Sequence, residues 1–254
     1  MPYKYAKENK DYSDYASGRV FYSAPGHPAF PVRLVSEVFQ RCWAQRQANG
    51  FTTPASIYDP CCGSAYHLST LAHLHWSMID RIIVSDNDAK ILEVAKRNLS
   101  LLTQSGLEKR VQEIAVMYDT FGKSSHIEAA KSAQQLTQQL QKNLAKHQIG
   151  TRYFTADATN RQEIIENISS DQIDIIICDV PYGNQSEWQF VRETKVTQPG
   201  MLWQMLDALL TIIHKNTIVA ISANKAQKCA HTSFKRVDRL QMGKRRITFL
   251  QLNS

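Results

Sequence analysis

Four short apolar segments of this chain each run into an aspartate: SIYDP (Ser56–Pro60), RIIVSD (Arg81–Asp86), TRYFTAD (Thr151–Asp157) and DIIICD (Asp174–Asp179). Short runs of this kind, closed by turn formers, read as strands. Between them the pattern changes to helical spacing. Strands alternating with helices predict a parallel sheet covered on both faces, and the unbroken apolar run Ile175–Cys178 suits a strand buried on both sides. In such an open sheet a ligand lies beyond the carboxyl ends of the strands, near the point where strand order reverses. All four aspartates, Asp59, Asp86, Asp157 and Asp179, fall on that edge.

The helical segments are legible from their periodicity. Val35, Val38, Phe39 and Trp43 share one face of a helix expected from Val32 to about Ala48, where Asn49-Gly50 ends it. A second helix follows Gly63 through AYHLSTLAHLH, and Asp88 caps a third through KILEVAKRNLSLL. Residues 107–148 are rich in Gln, Lys and Ala, with Leu136, Leu140 and Leu144 at every fourth position. They predict a helical hairpin inserted between the second and third strands and turning around Phe121-Gly122-Lys123, either a structural cover or an RNA-contacting lobe. A further helix is expected from Pro199 through MLWQMLDALLTII, then a fifth strand TIVAIS and two strands joined around Met242-Gly243-Lys244. The expected fold is α/β: a Rossmann-like, doubly wound, mostly parallel sheet with an antiparallel C-terminal hairpin and a helical insertion. Residues 1–254 are expected to form a single domain, with 1–50 as N-terminal arm and first helix and 107–148 as the insertion.

Composition narrows the function. With 254 residues, 43% of them apolar, the chain can bury a proper core. It has no apolar run of membrane-spanning length, and MPYKYAKENKDYSDY lacks the apolar stretch of a secretory signal, which predicts a soluble cytoplasmic protein. Cys42, Cys61, Cys62, Cys178 and Cys229 are odd in number and contain no CxxC pair, so they read as reduced thiols without a metal. The net charge of +7 is concentrated between Lys225 and Arg246, where eight basic residues face one Asp. Such a block suits a polyanion, because each neutralised phosphate also releases counterions.

Gly63 stands in the first strand-to-helix turn, where the missing side chain lets backbone amides approach a cofactor. Asp59 either orients that loop or holds a cationic amino group; Asp86 suits ribose hydroxyls and Asp157 an adenine amino group. The turn CCGSAY lacks the GxGxxG that a pyrophosphate needs. That favours S-adenosylmethionine, which has no phosphate, over NAD.

DVPYG, Asp179 to Gly183, resembles the [DN]-P-P-[YF] signature of methyltransferases that act on amino groups of nucleobases. The proline fixes the backbone so that carbonyls face a pocket. Asp179, the Val180 carbonyl, Pro181 and Tyr182 would then clamp and stack an unpaired or flipped base.

More widely, APGHPAFPVRL, YDPCCGSAY, SDND, DVPYGNQSEW and LQMGKR resemble the AviRa-type methyltransferases of 23S ribosomal RNA, known from resistance to avilamycin-type antibiotics. The resemblance implies S-adenosylmethionine-dependent methylation of a guanine in large-subunit RNA. It implies a cofactor held by Asp59, Cys61, Gly63, Asp86 and Asp157, and a base held by Asp179 and Tyr182. It gives the basic block a partner, 23S RNA or the large ribosomal subunit, with Arg33, Lys225, Lys244, Arg245 and Arg246 as expected RNA contacts. Two positions depart from the family pattern: Ala65 replaces a usual glycine, and Val180 replaces the commoner first proline, which leaves exocyclic amine and ring nitrogen both open as acceptors. Two other readings are a methyltransferase acting on DNA or a protein amide, and a silent RNA-binding protein on a degenerate cofactor fold.

Overall fold

A computed structural model describes residues 3–26, 29–168, 172–180 and 200–253. Seven strands form one sheet: β1 (Ala55–Asp59), β2 (Ile79–Asp86), β3 (Gly150–Thr155), β4 (Ile175–Asp179), β5 (Ile218–Asn224), β6 (Phe234–Met242) and β7 (Arg245–Leu252). Their spatial order is β3-β2-β1-β4-β5-β7-β6. β1 to β5 run parallel, while β7 lies antiparallel between β5 and β6. The chain builds outward from β1 to β3 and then returns to place β4 on the other side of β1, so the order reverses between β1 and β4. Asp59 and Asp179, at the ends of those two strands, flank the crevice that such a reversal opens.

The strand residues alternate between two cores, as the period of two requires. Ile57, Ile82, Val84, Ile175 and Ile177 join one apolar cluster with Leu34, Val38, Leu68 and Leu92. Tyr58, Ile83, Ile176, Cys178 and Val219 join the other with Ile164, Ile168, Met205 and Leu209. The first face is covered by α1 (Val32–Ala48), α2 (Tyr66–Leu74), α3 (Ala89–Ser100), α4 (Gln104–Phe121) and α5 (Ser124–Leu144). The second is covered by α6 (Arg161–Ile168) and α7 (Met201–Leu209).

Most elements fall where periodicity placed them, and the N-cap at Asp88 is present: its Oδ1 accepts the Lys90 N–H at 2.8 Å. The inserted hairpin turns at Gly122, whose φ of +61° suits glycine. It begins three residues earlier than expected, because Thr103 Oγ1 caps α4 by accepting the Gly106 N–H. α4 starts so close to the end of α3 that a Cβ on Gly106 would lie 2.0 Å from the Ser100 carbonyl oxygen. Helix α6 was not foreseen, and α7 ends at Leu209, short of Ile213; the expected start at Pro199 lies outside the described residues.

The N-terminal arm is largely irregular among its described residues, with a 3-10 turn at Ser13–Tyr15, yet it is firmly held. Buried Glu37 accepts the backbone N–H groups of Lys4, Tyr5 and Ala6, and Arg41 bridges it to Asp238. Further along, Val20 and Phe21 are fully buried. Arg110 donates to the Val20 and Arg19 carbonyls, Tyr22 Oη donates to Glu113, and Tyr15 Oη donates to Gln139. The hairpin therefore serves as a cover that pins the arm against α2 and α3.

Candidate active site

The β1–α2 loop is shaped from its first residue. Asp59 is fully buried, and its Oδ1 accepts the Cys61 N–H at 3.0 Å. Its Oδ2 lies 2.9 Å from Nε2 of His67, the second residue of α2, although the two are not aligned as a hydrogen bond. The Cys61 contact orients the loop. The chain then turns through left-handed backbone twice, at Gly63 (φ +52°) and Ala65 (φ +51°). Ala65 is the one non-glycine residue with positive φ among the described residues. A glycine would sit there without the roughly 1 kcal/mol or more that a Cβ adds, which gives a physical reason for the family's usual glycine.

Asp86, at the end of β2, binds this loop from the side: Oδ2 accepts the Gly63 N–H at 2.8 Å, and Oδ1 accepts the Asp88 N–H at 3.1 Å. Asp157 follows β3 and is exposed; its Oδ1 accepts the N–H and the hydroxyl of Thr159 at 2.8 Å each. Cys61 senses all three carboxylates. The Cys178 thiol pulls its pKa down by hydrogen bonding, but burial and the charges of Asp59, Asp86 and Asp157 push further the other way. The structure thus gathers Asp59, Cys61, Gly63, Asp86 and Asp157 around one loop.

Across the crevice, Asp179 ends β4. Burial pushes its carboxyl above the ordinary value, more than Arg245, Ser222 and His67 draw it back. Oδ1 is buried without a hydrogen-bond partner among the described residues, and Oδ2 lies 3.5 Å from Arg245 Nη2. Val180 is buried and donates its N–H to the Ser222 carbonyl at 3.0 Å. Pro181 and Tyr182 lie outside the described residues.

The expected RNA contacts divide. Lys225 and Lys244 are exposed side by side at the open end of the β5–β7 pair, where the Lys225 N–H donates to the Lys244 carbonyl. Arg33 is engaged with the arm, donating to Ala6 O, Lys7 O and Asn9 Oδ1 and lying over the Tyr3 ring. Arg246 is half-buried, and its Nε is buried without a partner among the described residues. Arg245 faces Asp179 instead of open solvent. Sequence reasoning missed His67, Phe30 and Asn98. Asn98 Nδ2 donates to both Ser64 O and Tyr22 O, while its Oδ1 accepts the Tyr22 N–H. No local motif marks Phe30 or Asn98, whose partners lie far away in sequence, and His67 meets Asp59 only because the loop turns α2 back onto the end of β1.

A doubly wound sheet with a reversed β7, an acidic carboxyl edge and a glycine-bearing first loop defines a Rossmann-like methyltransferase. Residues 1–245 match the family model described as rRNA methyltransferase AviRa, and the chain belongs to that family. It is 35% identical over 244 residues to the 23S rRNA (guanine(2535)-N(1))-methyltransferase of Streptomyces viridochromogenes, covering 96% of this chain and 93% of the relative. Two solved structures of the rRNA methyltransferase aviRa from that organism superpose with a TM-score of 0.85, at 33% and 34% identity. Each match covers 98% of this chain and 96% of the other.

Proposed function

We propose that this chain transfers a methyl group from S-adenosylmethionine to N1 of a guanine in 23S ribosomal RNA. The observation that carries the reading is the Asp179 carboxylate: a buried oxygen without a partner among the described residues, at the carboxyl edge of β4 and across the crevice from the β1–α2 loop. Guanine N1 carries a proton at neutral pH, and a ring nitrogen acceptor therefore calls for a base. The same atom named in the relative's activity is the one that would use such a base.

The residues present fit the cofactor. Gly63 and Ala65 bend the loop into a cradle, the Asp86 carboxylate at the end of β2 suits ribose hydroxyls, and exposed Asp157 suits an adenine amino group. Asp59 and Cys61 set the loop from beneath. When bound, S-adenosylmethionine supplies a methyl on a positive sulfur that keeps the S–C electron pair as the N–C bond forms. Asp179 accepts the N1 proton in that step, and the Val180 carbonyl, Pro181 and Tyr182 position the base. Alignment supplies most of the remaining acceleration. Lys225 and Lys244 meet phosphates around the target, with Arg246 beside them; Arg33 acts through the arm it holds. A large-subunit substrate places the protein in the cytoplasm, and among the described residues no helix is long and apolar enough to cross a membrane.

Methyl transfer from labelled cofactor to deproteinised 23S RNA, intact large subunits, duplex DNA and protein tests the reading. Label is expected in the ribosomal RNA, at guanine N1 by mass spectrometry; label confined to DNA or protein overturns it. Absence of cofactor binding by titration calorimetry would instead indicate a silent RNA-binding protein. The inhibitory concentration of avilamycin on a susceptible strain expressing the protein tests the associated role in resistance.

A further inference from the structure

The sheet topology carries one consequence for Arg245. Because β7 runs against β5, its first residue lies at the edge where the parallel strands end: Arg245 pairs with Asn224, two residues beyond Ser222, which itself pairs with Asp179. The C-terminal hairpin thereby delivers a guanidinium to the carboxylate at the end of β4. Nη2 lies 3.5 Å from Asp179 Oδ2, and the Arg245 side chain is only 19% exposed. Its Cζ sits 4.6 Å from the centroid of Phe30, a buried ring of the N-terminal arm. Phe30 in turn lies 5.8 Å from the ring of His67, whose Nε2 is 2.9 Å from Asp59 Oδ2. Arm, β1, α2 and β7 converge on one carboxylate.

An arginine that reads phosphate projects a mobile fork into solvent. Arg245 is instead backed by an aromatic face, which restrains the guanidinium plane, and its charge is directed at a partly buried anion. We propose that Arg245, braced by Phe30, is a positioning residue for methyl transfer: it holds the Asp179 carboxylate ionised and aimed at the target base, and is not an RNA-phosphate contact. This rests on the proposed function, since the carboxylate needs that state only if it takes a proton from the base.

Among the described residues the groups facing Asp179 are Arg245 from β7, Ser222 from β5, His67 from α2 and Asp59 from β1. Arg245 lowers the Asp179 pKa against the upward push of burial. Removing its charge therefore raises that pKa, and the acid limb of kcat, which requires the ionised form, moves to higher pH.

The test is steady-state methylation of 23S RNA by wild type, Arg245→Gln, Arg245→Lys and Lys244→Ala, across pH, with calorimetric cofactor binding as the check on folding. Arg245→Gln is expected to lower kcat at neutral pH by roughly tenfold or more, with KM for RNA within about twofold, and to shift the acid limb upward. Arg245→Lys should restore the position of the limb and only part of kcat, because an ammonium keeps the charge and loses the braced fork. Lys244→Ala should raise KM with kcat little changed. A higher KM for Arg245→Gln at unchanged kcat and pH profile would make Arg245 a phosphate contact and overturn the proposal. If Arg245→Gln fails to bind cofactor, Arg245→Lys decides: reduced kcat at constant KM supports the assignment, and wild-type kinetics refute it. Failure of the underlying function is distinct, because wild type itself would then leave 23S RNA unlabelled.

Discussion

Replacing Asn98 by Ala should loosen the cofactor loop from behind. Asn98 is completely buried, and its amide satisfies three backbone groups in two distant segments: Tyr22 N–H at 2.8 Å, Tyr22 O at 2.9 Å and Ser64 O at 2.9 Å. At about 1 kcal/mol net per bond the truncation costs about 3 kcal/mol, rising toward about 5 kcal/mol if the three groups stay buried and unpaired. In a domain of this size each kcal/mol corresponds to roughly 2–4 °C, so Tm should fall by roughly 6–12 °C. Asn98→Asp should be worse, since it retains the acceptor for Tyr22 N–H but turns lone pairs toward two carbonyl oxygens. Urea unfolding supplies the free energies, and calorimetry of the folded variants should show weaker S-adenosylmethionine binding because Ser64 adjoins Gly63. A loss below about 1 kcal/mol with unchanged cofactor affinity would refute the view that Asn98 ties the arm to the loop.

Glu37 gives a pH-dependent counterpart. Burial pushes its carboxyl up, but the N–H groups of Lys4, Ala6 and Tyr5 and the Arg41 guanidinium pull harder, and its folded value lies below the ordinary one. Its contribution is therefore complete above the unfolded pKa and is lost as pH falls through the folded one; Glu37→Gln should cost about 2 kcal/mol at pH 7 and flatten the acid side of the stability curve measured by urea titration. Asp86→Asn should weaken cofactor binding by roughly tenfold in calorimetry and cost about 1 kcal/mol of stability, because the amide oxygen accepts only one of the two backbone N–H groups that the carboxylate holds; unchanged affinity would remove Asp86 from the ribose site. Leu136→Ala, in the buried face of α5, should cost about 2–5 kcal/mol in chemical denaturation.

The scaffold was legible because its signals are local. The four strand ends with aspartate, the Asp88 cap and the leucines of α5 follow from periodicity and turn chemistry, and all four aspartates fall on one edge as the topology requires. Helix α6 escaped notice because it spans only Arg161–Ile168. Its signature was present nevertheless: Asn160 Oδ1 accepts from the N–H groups of Gln162 and Glu163, and Glu163 reaches back to Asn160 Nδ2 and Asp157 N–H, a capping arrangement. The candidate site was half legible. Asp59, Gly63 and Asp86 announce themselves by position, but the roles of Arg245, His67 and Phe30 depend on contacts between elements tens to hundreds of residues apart. In Arg245 a charge that reads as part of a basic run faces inward, because β7 is reversed.

The way the arm is secured also bears on how the protein is made. Val20 and Phe21 precede in the chain the side chains that close over them: Phe21 packs edge-on against Tyr66 and His73 of α2, and Arg110 of α4 donates to the Val20 carbonyl. Until α2 has been synthesised that apolar stretch lacks the rings it docks against, and until α4 has, it lacks the guanidinium that bonds its backbone. Sequestering it thus rests on contacts of high sequence separation, and these two residues gain shelter only when segments well downstream have folded.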